Sequence, residues 1–146
     1  MFIIILATLL SRKDIMFSKI ALASRYILGL MFTVFGANGL MMAFTGAGFI
    51  PMPPQAEPMI TIMNGFMATG YLMTLVFICQ FLGGIFLLSG FFVNAAIVLL
   101  GPVITNIVLI HVFAERAGLP MAIFVAVLFV ILVKSRWSDF HQLVRK

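Results

Sequence analysis

Charge is what this chain has least of. Charged residues make up 9% of its 146 positions, where a soluble domain carries roughly 25%. With 64% hydrophobic residues and a mean hydropathy of +1.25, there is too little polar surface to coat a globule in water. Cysteine is nearly absent as well. Cys79 stands alone inside an apolar run, which excludes an intrachain disulfide and a C-x-x-C thiol relay, and leaves a small buried hydrophobe as its plain reading. Histidine occurs only as His111 and His141. No internal repeat or low-complexity tract is evident. The net charge of +5 does not point to nucleic acid, because the basic residues flank apolar runs instead of clustering among aromatics, the placement that sets membrane topology.

What is present is long apolar runs. A hydrocarbon core about 30 Å thick needs about 20 apolar residues in a helix. Four segments meet or approach that length: Ile20 to Phe44, Phe66 to Ser89, Phe91 to Phe113, and Leu119 to Trp137. The last is short unless Lys134 snorkels and Trp137 anchors at the interface. The expected fold is all-α, an integral membrane four-helix bundle in one domain at 16–137. The opening "MFIIILATLL" is too short to span. It lacks a basic leader, and "SRKD" stands where a small-residue cleavage site would be, so it is not read as a signal peptide. Residues 1–15 read as an upstream start before Met16 or a short interfacial arm, and 138–146 as a basic tail.

Basic residues also set the expected orientation. Arg12, Lys13, Lys19, Arg25, Lys134, Arg136, Arg145 and Lys146 lie at one end of the spans, against Arg116 at the other. Eight against one places both termini in the cytoplasm. Arg25, one turn into the first span, should snorkel to phosphates on that side. The long connection from Thr45 to Gly65 holds no Lys or Arg. Gly46, Gly48 and the prolines of "PMPP" favour extended chain there. A helix can restart at Glu57–Pro58, with Pro at the first helical position and the carboxylate near the positive dipole end, and it can lead into the second span.

Taken in order, "RYILGLMFTVFGANGL", "PMPP", "ATGYLMTLVFICQFLGGIFLLSG", "PVITNIVLIHVF" and "GLP" resemble the DoxX family of small bacterial membrane proteins, from Met16 to Val133. The resemblance implies a four-helix bundle in the bacterial inner membrane, quinone-linked chemistry and a redox partner subunit, since the family takes its name from a subunit of a thiosulfate:quinone oxidoreductase. Two departures stand out. Gly39 follows Asn38 where many relatives carry a basic residue, and Gln80 stands where many carry Glu.

Polar groups inside the spans are the candidate site. Depth counted along each helix puts Asn38, Asn106 and His111 in the outer leaflet, with Gln80 near the midplane below them. Pro102 leaves the Val98 carbonyl without its helical donor, and Asn106 lies one turn further on the same face. An unpaired amide in hydrocarbon costs several kcal/mol, so these groups should turn inward. They serve either as interhelical glue, at about 0.6–2 kcal/mol per contact, or as the lining of a ligand cleft. Gly29, Gly36, Gly83 and Gly84 would allow the close helix approach that glue requires.

His111 and Glu115 are four residues apart and can meet on one helix face. They form either a structural interfacial pair or a proton-exchanging site for a quinone-like headgroup, since imidazole titrates near neutral pH. A haem is not expected, because His141 falls at the opposite end and cannot supply a second axial ligand at that depth. Met59, Met63 and Met67 recur every fourth residue and align three thioethers on one helix face, with Met41, Met42, Met52, Met73 and Met121 on the same outer side. Thioethers select Cu(I), though methionine is also ordinary core filling. The function expected from all this is a non-catalytic membrane subunit or binding module. Its outer-leaflet cleft of Asn38, Gln80, Asn106 and His111 would take a quinone or lipid-like molecule, and a partner would supply electrons. The alternatives are a stand-alone quinone-linked oxidoreductase using His111 and Glu115, a purely structural bundle, or a small transporter, whose four helices would enclose a wide pore only as a homo-oligomer.

Overall fold

In hydrocarbon every backbone amide must be satisfied within its own segment, which leaves helix as the spanning form for separate apolar runs. The chain follows that rule. A computed structural model describes residues 2–51 and 54–144, and the side chains of 15–51 and 54–141. Its elements are all helical: α1 (Phe2–Thr45), α2 (Glu57–Ala68), α3 (Leu72–Ser89), α4 (Val93–Phe113), a 3-10 turn at Arg116–Gly118, α5 (Leu119–Ser135) and α6 (Trp137–Val144). Met52, Pro53, Arg145 and Lys146 lie outside the described residues.

Four segments are long and apolar enough to cross a membrane: Ile15–Thr45, Leu72–Ser89, Val93–Phe113 and Arg116–Ser135. In none of them is more than 33% of the apolar window buried inside the protein. Leu30, Val98, Ile123, Val127 and Val130 all face outward. Such continuous apolar exposure far exceeds the patch of a few hundred Å² that a water-soluble monomer tolerates. The chain is built as a multi-pass membrane protein.

Several boundaries differ from the sequence reading. The helix that starts at Glu57–Pro58 does not run on into the second span. It stops at Ala68, Gly70 takes a left-handed φ of 77°, and α3 begins at Leu72. The fourth span ends at Ser135, and Trp137 opens the separate α6. The first span is part of a longer helix whose backbone is continuous from Phe2.

α1 and α3 pack antiparallel with their backbones nearly touching. A Cβ on Gly36 would meet the backbone of Phe81, and one on Gly84 the backbone of Thr33. Gly29 opposes Leu88, and Gly39 lies under the Phe77 ring. Each step along α1 is thus matched by an equal step back along α3. The Thr33 hydroxyl donates to the Gly29 carbonyl at 2.7 Å, so it consumes its polarity within its own helix. Against this pair, Leu28, Phe32, Leu87, Val93, Ala96, Ile97, Leu100, Ile104, Val125, Leu128 and Leu132 make a continuous core. Most members belong to the half of the bundle nearest the α3–α4 turn at Gly90, while Phe32 and Val125 reach the wall of the second recess described below. The opposite half, beneath the 46–56 loop, is packed differently.

Gly36→Ala and Gly84→Ala each force a methyl against backbone, an overpacking that costs typically about 1–3 kcal/mol. Each should lower the unfolding midpoint in detergent. Gly65→Ala, which meets nothing within 4 Å, should leave that midpoint unchanged or slightly raised.

Candidate functional site

The loop half of the bundle is hollow. Three adjoining recesses occupy it, with volumes of about 590, 290 and 180 Å³. The largest lies between α1, the 46–56 loop, α2 and the end of α4, and is lined by Asn38, Gln55, Ile110 and His111 together with five methionines, Met42, Met59, Met63, Met67 and Met73. The second, between α1, α3, α4 and the start of α5, is lined by Asn38, Gly39, Phe77, Gln80, His111 and Met121 among others. The third, between α2, α3 and α4, holds Gln80 and Asn106. Ile107 borders all three and acts as the partition between them. Across these adjoining recesses, together the loop-half compartment, Asn38 and His111 line the first two, Gln80 the second and third, and Asn106 the third alone.

Their chemical states differ. Asn38 is 5% exposed, and its Oδ1 accepts the Ile50 amide at 2.7 Å. Gly48 lies so close over the same side chain that any Cβ there would collide with it. Asn38 thus joins α1 to its own following loop. Gln80 is half-buried and Asn106 exposed at the recess rim. Among the described residues neither amide has a hydrogen-bond partner in the protein. The expectation that Asn106 turns fully inward is corrected here: position 106 lies on the side of α4 where Thr105 and Pro102 are also exposed, and it reaches the compartment only at its edge.

His111 is positioned from one side. Its Nδ1 lies 2.9 Å from the Glu115 carbonyl oxygen and 3.1 Å from Glu115 Oε2. Both neighbours accept, so Nδ1 carries the proton and Nε2 is the ring nitrogen left for other partners. Glu115 is held in turn by the Gly118 amide, which donates to Oε2 at 3.3 Å. The absence of a side chain at Gly118 lets the imidazole lie against that backbone. The i, i+4 pairing was legible from spacing. The Gly118 anchor was not, although "AGLP" marks a turn there.

Met59, Met63 and Met67 do share one face, graded from buried Met59 to half-exposed Met67, and that face is a wall of the largest recess. Met42 and Met73, on α1 and α3, complete the wall in three dimensions. Among the described residues no group of three His, Cys, Asp or Glu side chains converges as a metal site. Phe35, which walls the two larger recesses, and Phe77, which walls the second and third beside Gln80, had no signal in the sequence beyond general apolarity.

Comparison with protein-family models, with curated proteins and with solved structures returns no match for this chain.

Replacing Asn38 with Leu removes the acceptor of the Ile50 amide, and an unmatched part-buried donor costs about 1–3 kcal/mol. The 46–56 loop should then be cut faster by protease and the Ile50 amide should exchange sooner. Asn38→Asp, which retains an acceptor, should restore most of the protection.

Proposed function

We propose that this chain is a DoxX-like membrane binding module, a non-catalytic subunit whose loop-half compartment takes the headgroup of a quinone or similar lipid-like molecule for a partner redox enzyme. The observation that carries this reading is the pair of amides at an apolar recess, Gln80 half-buried and Asn106 at the rim, neither with a partner among the described residues. Interhelical glue would have consumed those groups. In a hydrocarbon setting an unmet amide costs several kcal/mol, so a polar atom from a bound molecule is the economical complement.

The rest of the lining fits such a ligand. Phe35 and Phe77 offer flat apolar surface, and the methionine wall adapts to an uneven or variable outline. The His111 Nε2 can accept from a hydroxyl or, when the ring is charged, donate to a carbonyl, with Glu115 fixing the ring in either case. The chain carries no flavin, haem, iron–sulfur or dithiol signature, so electrons are assigned to the partner. The methionines are read as adaptable lining of the largest recess and not as a Cu(I) site, since methionine is ordinary filling for an uneven apolar wall.

The binding role is tested by extracting the purified protein for native quinone and by titrating it with a short-chain ubiquinone or menaquinone analogue. Two hydrogen bonds at about 1 kcal/mol each correspond to roughly a thirtyfold loss of affinity in the doubly substituted Gln80→Leu/Asn106→Leu protein. Unchanged ligand content in that variant sinks the proposal.

The orientation belongs to the same proposal. Lys19, Arg25, Lys134 and Arg136 lie at the Gly90 end of the bundle and Arg116 at the loop end, which supports cytoplasmic termini in a bacterial inner membrane and a compartment in the outer leaflet. In a Cys79→Ala background, Glu57→Cys should react with a membrane-impermeant maleimide on intact cells. Ser138→Cys should react only after permeabilisation. The reverse pattern would move the compartment to the inner leaflet.

A further inference from the structure

At the opposite end of the molecule Arg25 presents an unbalanced charge. Its guanidinium has no hydrogen bond or ion pair among the described residues, and its Nε is sealed from solvent without an acceptor. The group lies 4.6 Å over the Tyr26 ring, and its Nη1 rests so close to Gly90 that a side chain there would collide with it. Gly90 ends α3, so the cation sits level with the α3–α4 turn, at the boundary between hydrocarbon and headgroups. From Arg25 to Thr45 the helix rises about 30 Å, one hydrocarbon thickness.

Beside it, between α1 and α5, is a recess of about 340 Å³ lined by Ser18, Arg25, Ser135 and Arg136 with Phe17 and Leu22. Lys134 Nζ adds a further charge 5.6 Å over the Phe17 ring. The acidic side chain described at this end, Asp139, is already engaged. Its Oδ2 accepts from Asn94 Nδ2 at 2.9 Å and lies 3.8 Å from Arg136 Nη1. Among the described residues no carboxylate reaches Arg25. A buried-edge guanidinium at the interface needs an anion, and the described residues do not supply one.

We infer that the α1–α5 recess seats the phosphate of an anionic phospholipid, held by Arg25 and Arg136, with its acyl chains running along Leu22 and the neighbouring apolar surface of α1. Guanidinium is the cation best matched to phosphate oxygens, and basic recesses between spans are a recurrent form of headgroup site. The seat is separate from the loop-half compartment and stands whether or not that compartment binds quinone.

The test is native mass spectrometry of the full chain released from nanodiscs of equal phosphatidylglycerol and phosphatidylcholine content, with thermal shift in detergent as a second readout. Wild type should retain phosphatidylglycerol over phosphatidylcholine by roughly five- to tenfold, and phosphatidylglycerol should raise the melting midpoint. Arg25→Gln should bring the ratio close to one, and Arg25→Lys should keep part of it. Lys19→Gln, an exposed basic residue of α1 outside the recess lining, should leave it unchanged. If Arg25→Gln does not fold, Arg136→Gln carries the same test and should lower the ratio. Equal loss in Lys19→Gln would reduce the effect to general surface charge and overturn the site. A thermal shift reproduced in full by inorganic phosphate would overturn the lipid assignment.

Discussion

Lipid tails are as apolar as leucine, so apolar spans gain nothing from hiding from lipid and must associate by close contact. In this chain the closest contact is between α1 and α3, where Gly36 and Gly84 bring backbone against backbone. That approach admits one register. Once Gly36 meets Phe81, Gly29 must face Leu88 and Gly39 must face Phe77, and both polar ends of the molecule follow from the same rigid pair. Arg25 arrives beside Gly90 at one end. Asn38 and Gln80 arrive around Phe77 at the other, both lining the same recess. A slip of one residue would set side chains where glycines now are.

The two halves divided by this register are unequal. Near the turn, α4 and α5 contribute Ile97, Leu100, Leu128 and Leu132, large side chains that fill the space beside α1 and α3. Beyond Ile104 the same helices contribute fewer inward bulky groups, and Ile107 alone reaches across. The hollow lies where the run of large buried residues thins out. It coincides with the polar residues because an amide or imidazole in a close-packed apolar core would have no partner. Each end of the bundle is left with donors or acceptors that the described residues do not satisfy: Gln80 and Asn106 at one, the Arg25 guanidinium at the other.

Four apolar runs of spanning length, the helix start at Glu57–Pro58, the methionine face and the His111–Glu115 pair were all legible, since each is a matter of length or of helical period. What escaped the sequence was set by contacts across the fold. The partner of Asn38 is Ile50, twelve residues on across a loop without periodicity, so counting depth along a helix could not find it. Asn106 looked inward because depth says nothing of azimuth, and the strongly apolar α4 has no polar face against which to orient it. Gly70 sits within an apolar run that gives no sign of a turn, yet its left-handed φ of 77° is the conformation that glycine alone adopts freely. The DoxX resemblance drew on the same apolar segments and so could not add information about these contacts.

That turn at Gly70 decides more than a helix boundary. Were α2 continuous with α3, Met59, Met63 and Met67 would extend a single rod past the end of the bundle, and their thioethers would face headgroups or water. The break between Ala68 and Leu72 frees α2 from the axis of α3, and the methionine face becomes a wall opposite Asn38 and His111. Asn38 works toward the same end by holding Ile50, which fixes the loop that delivers α2. The largest recess therefore exists because a short helix is tied at one end by an amide and released at the other by a glycine. Its polar residues then acquire a setting in which a small molecule can reach them.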